Sequence, residues 1–152
     1  MALANPTANC YHRLKPQTFA PSNISWGIED RTALVRLKDV DGENAHVEMR
    51  AASGLSNPYL TAAGVLAAGL LGLQDGTALR PTVEGPCEES DAFEKLPPNL
   101  ESALAGLEAD PAMREMLGED FVHVFTTVKR YELDRFNAHV TDWEKSEYLE
   151  VF

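Results

Sequence analysis

The stretch AHVEMR, residues 45–50, alternates apolar and ionisable side chains. If it forms a strand, His46, Glu48 and Arg50 share one face, because successive side chains of a strand point to opposite faces. The segment NPYL begins seven residues later, at Asn57. Its asparagine can cap a helix, and the proline that follows suits the first helical turn. The sequence therefore predicts a strand with one polar face, a short loop and a capped helix.

A second alternation precedes this stretch. Residues 31–38 read RTALVRLK, in which every second side chain from Ala33 is apolar. The dipeptide DG at residues 41–42 is a turn signal, and it would pair this segment with residues 45–50 as an antiparallel hairpin. Trp26-Gly27 leads into a further strand. Residues 11–21 hold two prolines and no periodicity, which indicates a loop over a site or a surface.

The pattern becomes helical after residue 57. The first helix carries seven small residues that would let it approach a neighbouring backbone closely, which predicts a buried helix: Ala62, Ala63, Gly64, Ala67, Ala68, Gly69 and Gly72. Residues 74–98, with the acidic run EGPCEESD at 84–91, predict an irregular surface connection. This segment is interpreted as a connector within one domain.

Three further helices are predicted after the connector. Asn99 can cap one, and Asp110-Pro111 starts another that Gly118 can end. The last begins near Glu119 and breaks near Asn137 before it continues toward the C-terminus. Its apolar stripe is predicted to comprise Phe121, Val124, Phe125, Val128 and Tyr131.

The composition suits a single α+β domain with a sizeable core, since 44% of the 152 residues are hydrophobic and 24% are charged. Residues 1–50 carry 6 basic and 6 acidic groups, and residues 51–152 carry 7 and 18, so the net charge of −11 lies in the second part. Phosphodiester binding requires a surplus of Lys and Arg on one surface. We therefore expect no nucleic-acid partner.

The two cysteines, Cys10 and Cys87, lie far apart in the sequence and outside any Cys/His cluster, so we expect free thiols in a reducing compartment. The N-terminus lacks the basic start and apolar core of a signal peptide. The longest apolar-looking stretch, residues 60–73, has 14 residues, whereas a membrane helix needs about 20. We expect a cytoplasmic protein without membrane contact.

The chain carries four motifs in order: NCYHRLKP at residues 9–16, WGIEDRTALVR at 26–36, VEMR at 47–50 and NPYL at 57–60. Together they resemble the C-terminal part of the catalytic domain of the glutamine synthetase family. NCYHRLKP at residues 9–16, with Ala20-Pro21, is similar to the family segment Asn-Ser-Tyr-Lys-Arg-Leu-x-Pro and its Ala-Pro. WGIEDRTALVR at residues 26–36 resembles a family strand with two arginines five apart, and VEMR at 47–50 resembles its Glu-x-Arg strand. NPYL at 57–60 completes the set, and residues 140–149 are similar to family C-termini. The resemblance implies one partial domain over residues 1–152, with a loop and hairpin in 1–56 and helices in 57–152.

This resemblance implies ATP-dependent ligation. The γ-carboxylate of glutamate is phosphorylated, and an amine then displaces phosphate to leave a γ-glutamyl amide. By resemblance, Glu48 binds Mg²⁺ or Mn²⁺ and Arg13 and Arg50 bind glutamate, as their chemistry allows. Arg31 and Arg36 would stabilise charge on the transferred phosphoryl group, with Arg13 and Arg31 as the catalytic pair.

Two more implications concern the nucleotide and the assembly. His46 stands where many family members have an arginine near the nucleotide. The resemblance also implies a large homo-oligomeric ring in which adjacent subunits share active sites.

The remaining metal-binding glutamates, a metal-binding histidine and most of the nucleotide pocket precede this region in the family. We therefore expect these 152 residues alone to be inactive, and marginally stable or oligomeric.

Phe19 departs from the family pattern. It occupies the loop position where ammonia-using members carry the glutamate that helps to bind ammonium and take its proton. A phenyl ring cannot accept a proton, but it can pack against the carbon skeleton of a larger amine or stack under its cation. We therefore expect an amine other than ammonia, with polyamines, ethanolamine-like compounds and aromatic amines all open. A ring that merely fills a core is the alternative.

Three interpretations outside catalysis are the alternatives. Glu48 and Arg50 could form a charged ladder on a solvated strand face, and His46 could be a strand histidine without a role. A non-catalytic relative that keeps the ligase scaffold for structure or assembly also fits the loss of the ammonium-site glutamate. A free-standing helical interaction module at residues 99–152 is the third option, but it leaves the Arg/Glu group unexplained.

Overall fold

The computed structural model describes residues 1–83, 85–149 and 151. Glu84, the first residue of the acidic run in the predicted connector, lies outside the described residues. So do residues 150 and 152, at the end of the predicted helical part.

A small three-stranded sheet forms the first part of the fold. Its strands are β1 (Trp26–Ile28), β2 (Val35–Lys38) and β3 (His46–Met49), in the order β1-β2-β3. β2 and β3 pair antiparallel, which confirms the predicted hairpin. β1 and β2 pair in parallel, with Trp26 opposite Val35. Residues 29–34 therefore return the chain from the end of β1 to the level of its start. Asp30 holds that return, since its Oδ1 accepts hydrogen bonds from the backbone N–H and the hydroxyl of Thr32.

Among the described residues, five α-helices form the second part of the fold. They are α1 (Pro58–Gln74), α2 (Leu100–Ala109), α3 (Pro111–Leu117), α4 (Glu119–Asn137) and α5 (Asp142–Tyr148). The predicted caps are confirmed, because Asn57 accepts from the amides of residues 59 and 60, and Asn99 from that of residue 102. Gly118 ends α3 with a φ of 93°, a conformation that favours glycine. The α+β class, a hairpin followed by helices, is confirmed.

The main core lies between the N-terminal segment, α2 and α4. Its buried members are Ala2, Leu3, Cys10, Tyr11, Leu100, Ala103, Leu104 and Phe125. A smaller cluster of Ala33, Cys87 and Phe93 lies where the connector contacts the sheet side. The connector is irregular, as predicted, apart from a 3-10 helix at Cys87–Glu89.

The prediction of a buried α1 is wrong for the described residues. Only Ala67 of this helix is buried, whereas Tyr59, Leu66, Leu70 and Leu73 are exposed. Leu3 and α3 pack against one side of the helix and leave the rest uncovered. The close approach predicted from small residues occurs at Gly64, where an added Cβ would lie 3.0 Å from Leu3 Cδ1.

Two smaller predictions also need correction. The buried side of α4 is formed by Val122, Phe125 and Thr126, whereas Val124, Val128 and Tyr131 of the predicted stripe are exposed. The helix contacts α2 and α3, and Phe125 packs in the main core with the N-terminal segment. The predicted loop at residues 11–21 begins inside a 3-10 helix, Ala8–Arg13, because Cys10 and Tyr11 are drawn into the core.

Candidate functional site

The hairpin register brings the ionisable side chains of its two strands onto one face. Arg36 lies opposite Glu48, and Lys38 lies opposite His46. Side chains of directly opposite residues are neighbours on the same face of a sheet. We call Arg36, Glu48 and Arg50 the hairpin cluster, because Glu48 forms ion pairs with both arginines.

The geometry of the hairpin cluster leaves polar atoms without partners. Arg36 Nη2 lies 2.6 Å from Glu48 Oε2, and Arg50 Nε lies 3.8 Å from Glu48 Oε1. Glu48 Oε2 is therefore occupied by this ion pair, whereas Arg36 Nε and Arg50 Nη1 are buried with no hydrogen-bond partner among the described residues. Buried polar groups are normally satisfied, so such atoms are available to an anion, a water molecule or a further protein group.

Phe19 lies next to this cluster in a loop that follows the N-terminal 3-10 helix. Its carbonyl accepts a hydrogen bond of 2.8 Å from Arg50 Nη2. The Phe19 residue is 72% exposed and has a positive φ of 56°. Positive φ at a bulky residue is uncommon and strained. The exposure rules out the interpretation of Phe19 as a ring that fills a core in the described structure.

Arg13 is joined to the segment that follows β3. Its Nη2 donates to the carbonyl oxygens of Ala51 and Ala52, the second at 2.8 Å. These residues directly follow Arg50, so the Arg13 side chain is fixed close to the hairpin cluster. A guanidinium carries five N–H donors, and the bonds from Nη2 leave others free for a ligand.

Arg31 and His46 are less closely joined to the hairpin cluster. The Arg31 side chain is exposed and makes no hydrogen bond or ion pair with any residue that the structure describes. It lies in the return between β1 and β2. His46 is exposed on the same face as Glu48, two residues away, and its Nδ1 lies 2.6 Å from Asn44 O.

Glu48 could supply one oxygen ligand to a divalent cation. Its Oε2 is buried and forms an ion pair with Arg36 Nη2 at 2.6 Å, so a divalent cation bound there would replace this ion pair. Over residues 1–83, 85–149 and 151, no group of three His, Cys, Asp or Glu side chains is placed to hold a metal. The described residues therefore fit one ligand of such a site and do not complete it.

Two contacts of the Phe19 loop were not predicted from the sequence. Glu88 Oε2 accepts a hydrogen bond of 2.9 Å from the backbone N–H of Gln17, and the Thr18 hydroxyl lies 2.8 Å from Arg13 O. Glu88 is separated from Gln17 by 71 positions, so no local pattern could have joined them. Threonine hydroxyls commonly form hydrogen bonds with nearby backbone groups, so the bond from Thr18 to Arg13 could have been predicted from the sequence.

Comparison with known proteins gives consistent results. The family model described as glutamine synthetase, catalytic domain, matches residues 1–148. The chain is 40% identical over 158 residues to a glutamine synthetase of Halobacterium salinarum, which covers 99% of this chain and 35% of that protein. A glutamine synthetase of Thermus thermophilus is 33% identical over 159 residues, which covers 100% of this chain and 36% of that protein.

Solved structures agree with the sequence comparisons. A structure titled "Apo GmaS without ligand" matches with a TM-score of 0.83 and 33% identity, over 98% of this chain and 34% of that one. A "GmaS/ADP complex" matches with a TM-score of 0.82 and 32% identity, over 98% and 36%. The chain belongs to the glutamine synthetase catalytic-domain family. It spans about a third of the length of the relatives that it matches.

The family match covers both the hairpin and the helices. Because the family match runs from residue 1 to residue 148, a separate helical interaction module at residues 99–152 has no support. Within the described part of the chain, no helix has the length and apolar character to cross a bilayer.

Proposed function

We propose that this chain contributes to the active site of an ATP-dependent ligase that joins an amine to the γ-carboxylate of glutamate. The observation that carries this proposal is the hairpin cluster, in which Glu48 lies between two arginines with unpartnered buried polar atoms. Buried donors normally have partners, so the unpartnered atoms of these arginines favour an anionic ligand. Membership of the glutamine synthetase family supports the same reaction class.

The reaction requires two bond exchanges. A γ-carboxylate oxygen of glutamate attacks the γ-phosphorus of ATP, the bond to ADP breaks, and γ-glutamyl phosphate forms. The amine nitrogen then attacks the acyl carbon, the carbon–oxygen bond breaks, and phosphate leaves with that oxygen while the amine loses a proton. Negative charge therefore develops on oxygens first around phosphorus and then around carbon.

The arginines suit both bond exchanges. We assign Arg36 and Arg31 to the transferred phosphoryl group, whose charge their guanidinium groups can stabilise. We assign Arg50 and Arg13 to glutamate, because a guanidinium can donate two parallel hydrogen bonds to one carboxylate. Support comes from the placement of Arg50 beside Glu48 and of Arg13 beside residues 51 and 52.

Glu48 is assigned as one ligand of Mg²⁺ or Mn²⁺. A divalent cation would neutralise phosphate charge during transfer. Glu48 would supply one carboxylate oxygen in exchange for its ion pair with Arg36, and the other ligands would come from phosphate oxygens, water or residues beyond those described. His46, exposed at the end of β3, is assigned to the nucleotide. A GmaS structure titled as an ADP complex supports nucleotide use in the family.

Phe19 is assigned to the amine. Its exposed ring lies in a strained loop fixed by Arg50, where it can contact the carbon skeleton of an alkyl or aryl amine. GmaS is a γ-glutamylmethylamide synthetase, so a family member of the same fold uses an amine other than ammonia. We infer that this protein also prefers a substituted amine.

The assembly and location are proposals as well. We infer a homo-oligomeric ring, and the exposed apolar side chains of α1 supply surface that another polypeptide segment or subunit would cover. Free thiols at Cys10 and Cys87 suit the reducing conditions of the cytoplasm.

The test is amine-dependent phosphate release by the native, full-length polypeptide. ATP, Mg²⁺ and glutamate are combined in turn with ammonia, methylamine, ethanolamine, putrescine and an aromatic amine, and the amide product is identified by mass spectrometry. Glu48→Gln should lower the rate by about a hundredfold, since a metal ligand acts on transition-state charge. Glu43→Gln, in the exposed hairpin turn, is the matched control. Wild-type protein that releases no phosphate with any amine would overturn the proposal and favour a non-catalytic relative.

A further inference from the structure

The loop that presents Phe19 is strained and needs external contacts to hold its shape. Gln17 and Phe19 both have positive φ, at 64° and 56°. Residues other than glycine rarely adopt this region, and such strain persists only where surrounding structure fixes it. The loop therefore depends on its hydrogen bonds more than an ordinary surface turn does.

Two of these hydrogen bonds come from nearby in the sequence or from the hairpin cluster. The Thr18 hydroxyl can donate to the carbonyl of Arg13 or that of Lys15, at 2.8 and 2.6 Å. Arg50 Nη2 donates to Phe19 O at 2.8 Å. These contacts fix the centre and the end of the loop. None of these contacts involves Gln17, which also has a positive φ.

Glu88 provides the contact at Gln17. Its carboxylate oxygen Oε2 accepts a hydrogen bond of 2.9 Å from the Gln17 backbone N–H. A carboxylate that accepts from a backbone amide forms a stronger hydrogen bond than a neutral acceptor does. Glu88 belongs to the 3-10 helix Cys87–Glu89 in the connector, far from the loop in sequence.

The 3-10 helix is itself tied to the return between β1 and β2. The backbone N–H of Cys87 donates to Asp30 Oδ2 at 2.9 Å, and that of Glu88 donates to Thr32 Oγ1 at 3.3 Å. Asp30 and Thr32 flank Arg31. The Asn23 side chain also donates to Cys87 O at 2.7 Å, in a buried position. Glu88 therefore joins the loop of Phe19 to a segment that is anchored beside Arg31.

We propose that Glu88 is a positioning residue for the amine site, acting through its hydrogen bond to the Gln17 amide on the loop that carries Phe19. The inference rests on the proposed function for its amine part, whereas the hydrogen bond itself stands on the geometry. The backbone of Phe19 is held at Arg50 by one hydrogen bond, and the Glu88 contact at Gln17 fixes the loop two residues earlier. Loss of the Glu88 contact should therefore affect the amine more than glutamate or ATP.

The experiment compares three variants of the native, full-length polypeptide. Glu88→Ala removes the acceptor, and Glu88→Gln keeps a carbonyl oxygen that can accept from Gln17. Glu89→Ala changes the exposed neighbour in the same 3-10 helix and is the matched control. Hydrogen–deuterium exchange over residues 15–20 reports the state of the loop, and steady-state kinetics give KM for amine, glutamate and ATP.

We expect faster exchange over residues 15–20 in Glu88→Ala and an amine KM about fivefold higher, the factor expected for one ordinary hydrogen bond. Glu88→Gln should restore most of both properties, and Glu89→Ala should match wild type. Unchanged exchange in Glu88→Ala would overturn the contact, and faster exchange with an unchanged amine KM would overturn the positioning role. An equal rise in all three KM values would also overturn it. Wild-type protein that forms no amide would remove the proposed function and the amine part of this inference, while exchange would still decide whether Glu88 holds the loop.

Discussion

Arg36 Nη2 lies 2.6 Å from Glu48 Oε2, across the paired strands β2 and β3. The Arg36 side chain is 12% exposed, so its charge is largely withdrawn from water, whereas that of Glu48 is 39% exposed. The Arg50 side chain is 14% exposed, so its charge is shielded from water to a similar extent. One carboxylate therefore lies between two poorly hydrated guanidinium groups, which leaves the hairpin cluster with an excess of positive charge. Such an arrangement attracts a further anion, such as a phosphate or a carboxylate.

Arg36→Met should separate phosphoryl transfer from substrate binding. Because we assign Arg36 to charge that develops on the phosphoryl group, we expect kcat to fall about tenfold to a hundredfold with a small change in the glutamate KM. Steady-state kinetics measure both. Lys38→Met, two residues along β2 and opposite His46, is the control and should retain most of kcat. A rise in the glutamate KM at unchanged kcat would contradict the assignment of Arg36.

Phe19→Glu should shift the preference from a substituted amine toward ammonia. A carboxylate can attract ammonium and accept its proton, whereas the ring offers an apolar surface. Competition between ammonia and methylamine, with the two amides quantified by mass spectrometry, gives the ratio of kcat/KM values. We expect this ratio to move by about tenfold, the scale of a contact worth roughly 1.4 kcal/mol. Phe19→Leu keeps an apolar side chain and should leave the preference for the substituted amine in place.

Asn57→Ala should destabilise the fold through α1. The Asn57 side chain accepts from the backbone amides of Tyr59 and Leu60, and loss of such a cap costs about 1 kcal/mol. Urea unfolding followed by circular dichroism measures the change in the free energy of unfolding. Asn57→Ser keeps a capping oxygen and should remain close to wild type. Equal destabilisation by both variants would show that the cap is not the cause.

Asp30→Asn should destabilise the protein at neutral pH and lose its effect in acid. Partial burial alone would raise the pKa of Asp30, but hydrogen bonds from Cys87 and Thr32 outweigh it and hold the pKa below its ordinary value of 3.8. The stabilisation by the carboxylate is therefore complete above that value and is lost as pH falls through the lower folded-state pKa. We expect a difference of about 1 kcal/mol in the free energy of unfolding at pH 7.

The measurement for Asp30 is urea unfolding of wild type and Asp30→Asn between pH 7 and pH 3. The difference between the two unfolding free energies should begin to shrink as pH falls below 3.8 and continue to shrink as pH falls through the lower folded-state pKa of Asp30. Asp91→Asn, in an exposed part of the connector, is a suitable control. A difference that stays constant down to pH 3 would contradict the role of the Asp30 charge.

Local patterns predicted the elements of this fold well. The alternation in residues 31–38 and 45–50, with the turn between them, was sufficient for the hairpin, and the register places Arg36 beside Glu48 as that alternation requires. Asn57 and Asn99 were sufficient to locate two helix starts, because capping is a property of the residues next to the helix.

Contacts between distant segments could not be predicted in this way. The burial of α1 was overestimated. Its small residues show that another segment can approach the helix closely, but they do not show which sides of the helix have such a neighbour. The parallel pairing of β1 with β2 depends on the return held by Asp30 and Thr32. The hydrogen bond between Glu88 and Gln17 joins residues 71 positions apart, and the sequence contains no period that relates them.

The most direct test of the proposed ligase is the fate of one oxygen atom. Glutamate labelled with ¹⁸O at both γ-carboxylate oxygens is incubated with ATP, Mg²⁺, the preferred amine and the native, full-length polypeptide, and the released phosphate is analysed by mass spectrometry. If the γ-carboxylate is phosphorylated and the amine then displaces phosphate, each phosphate formed with an amide carries one ¹⁸O atom. Amide formation with unlabelled phosphate would contradict the proposed route, and phosphate release without an amide would contradict the ligase itself.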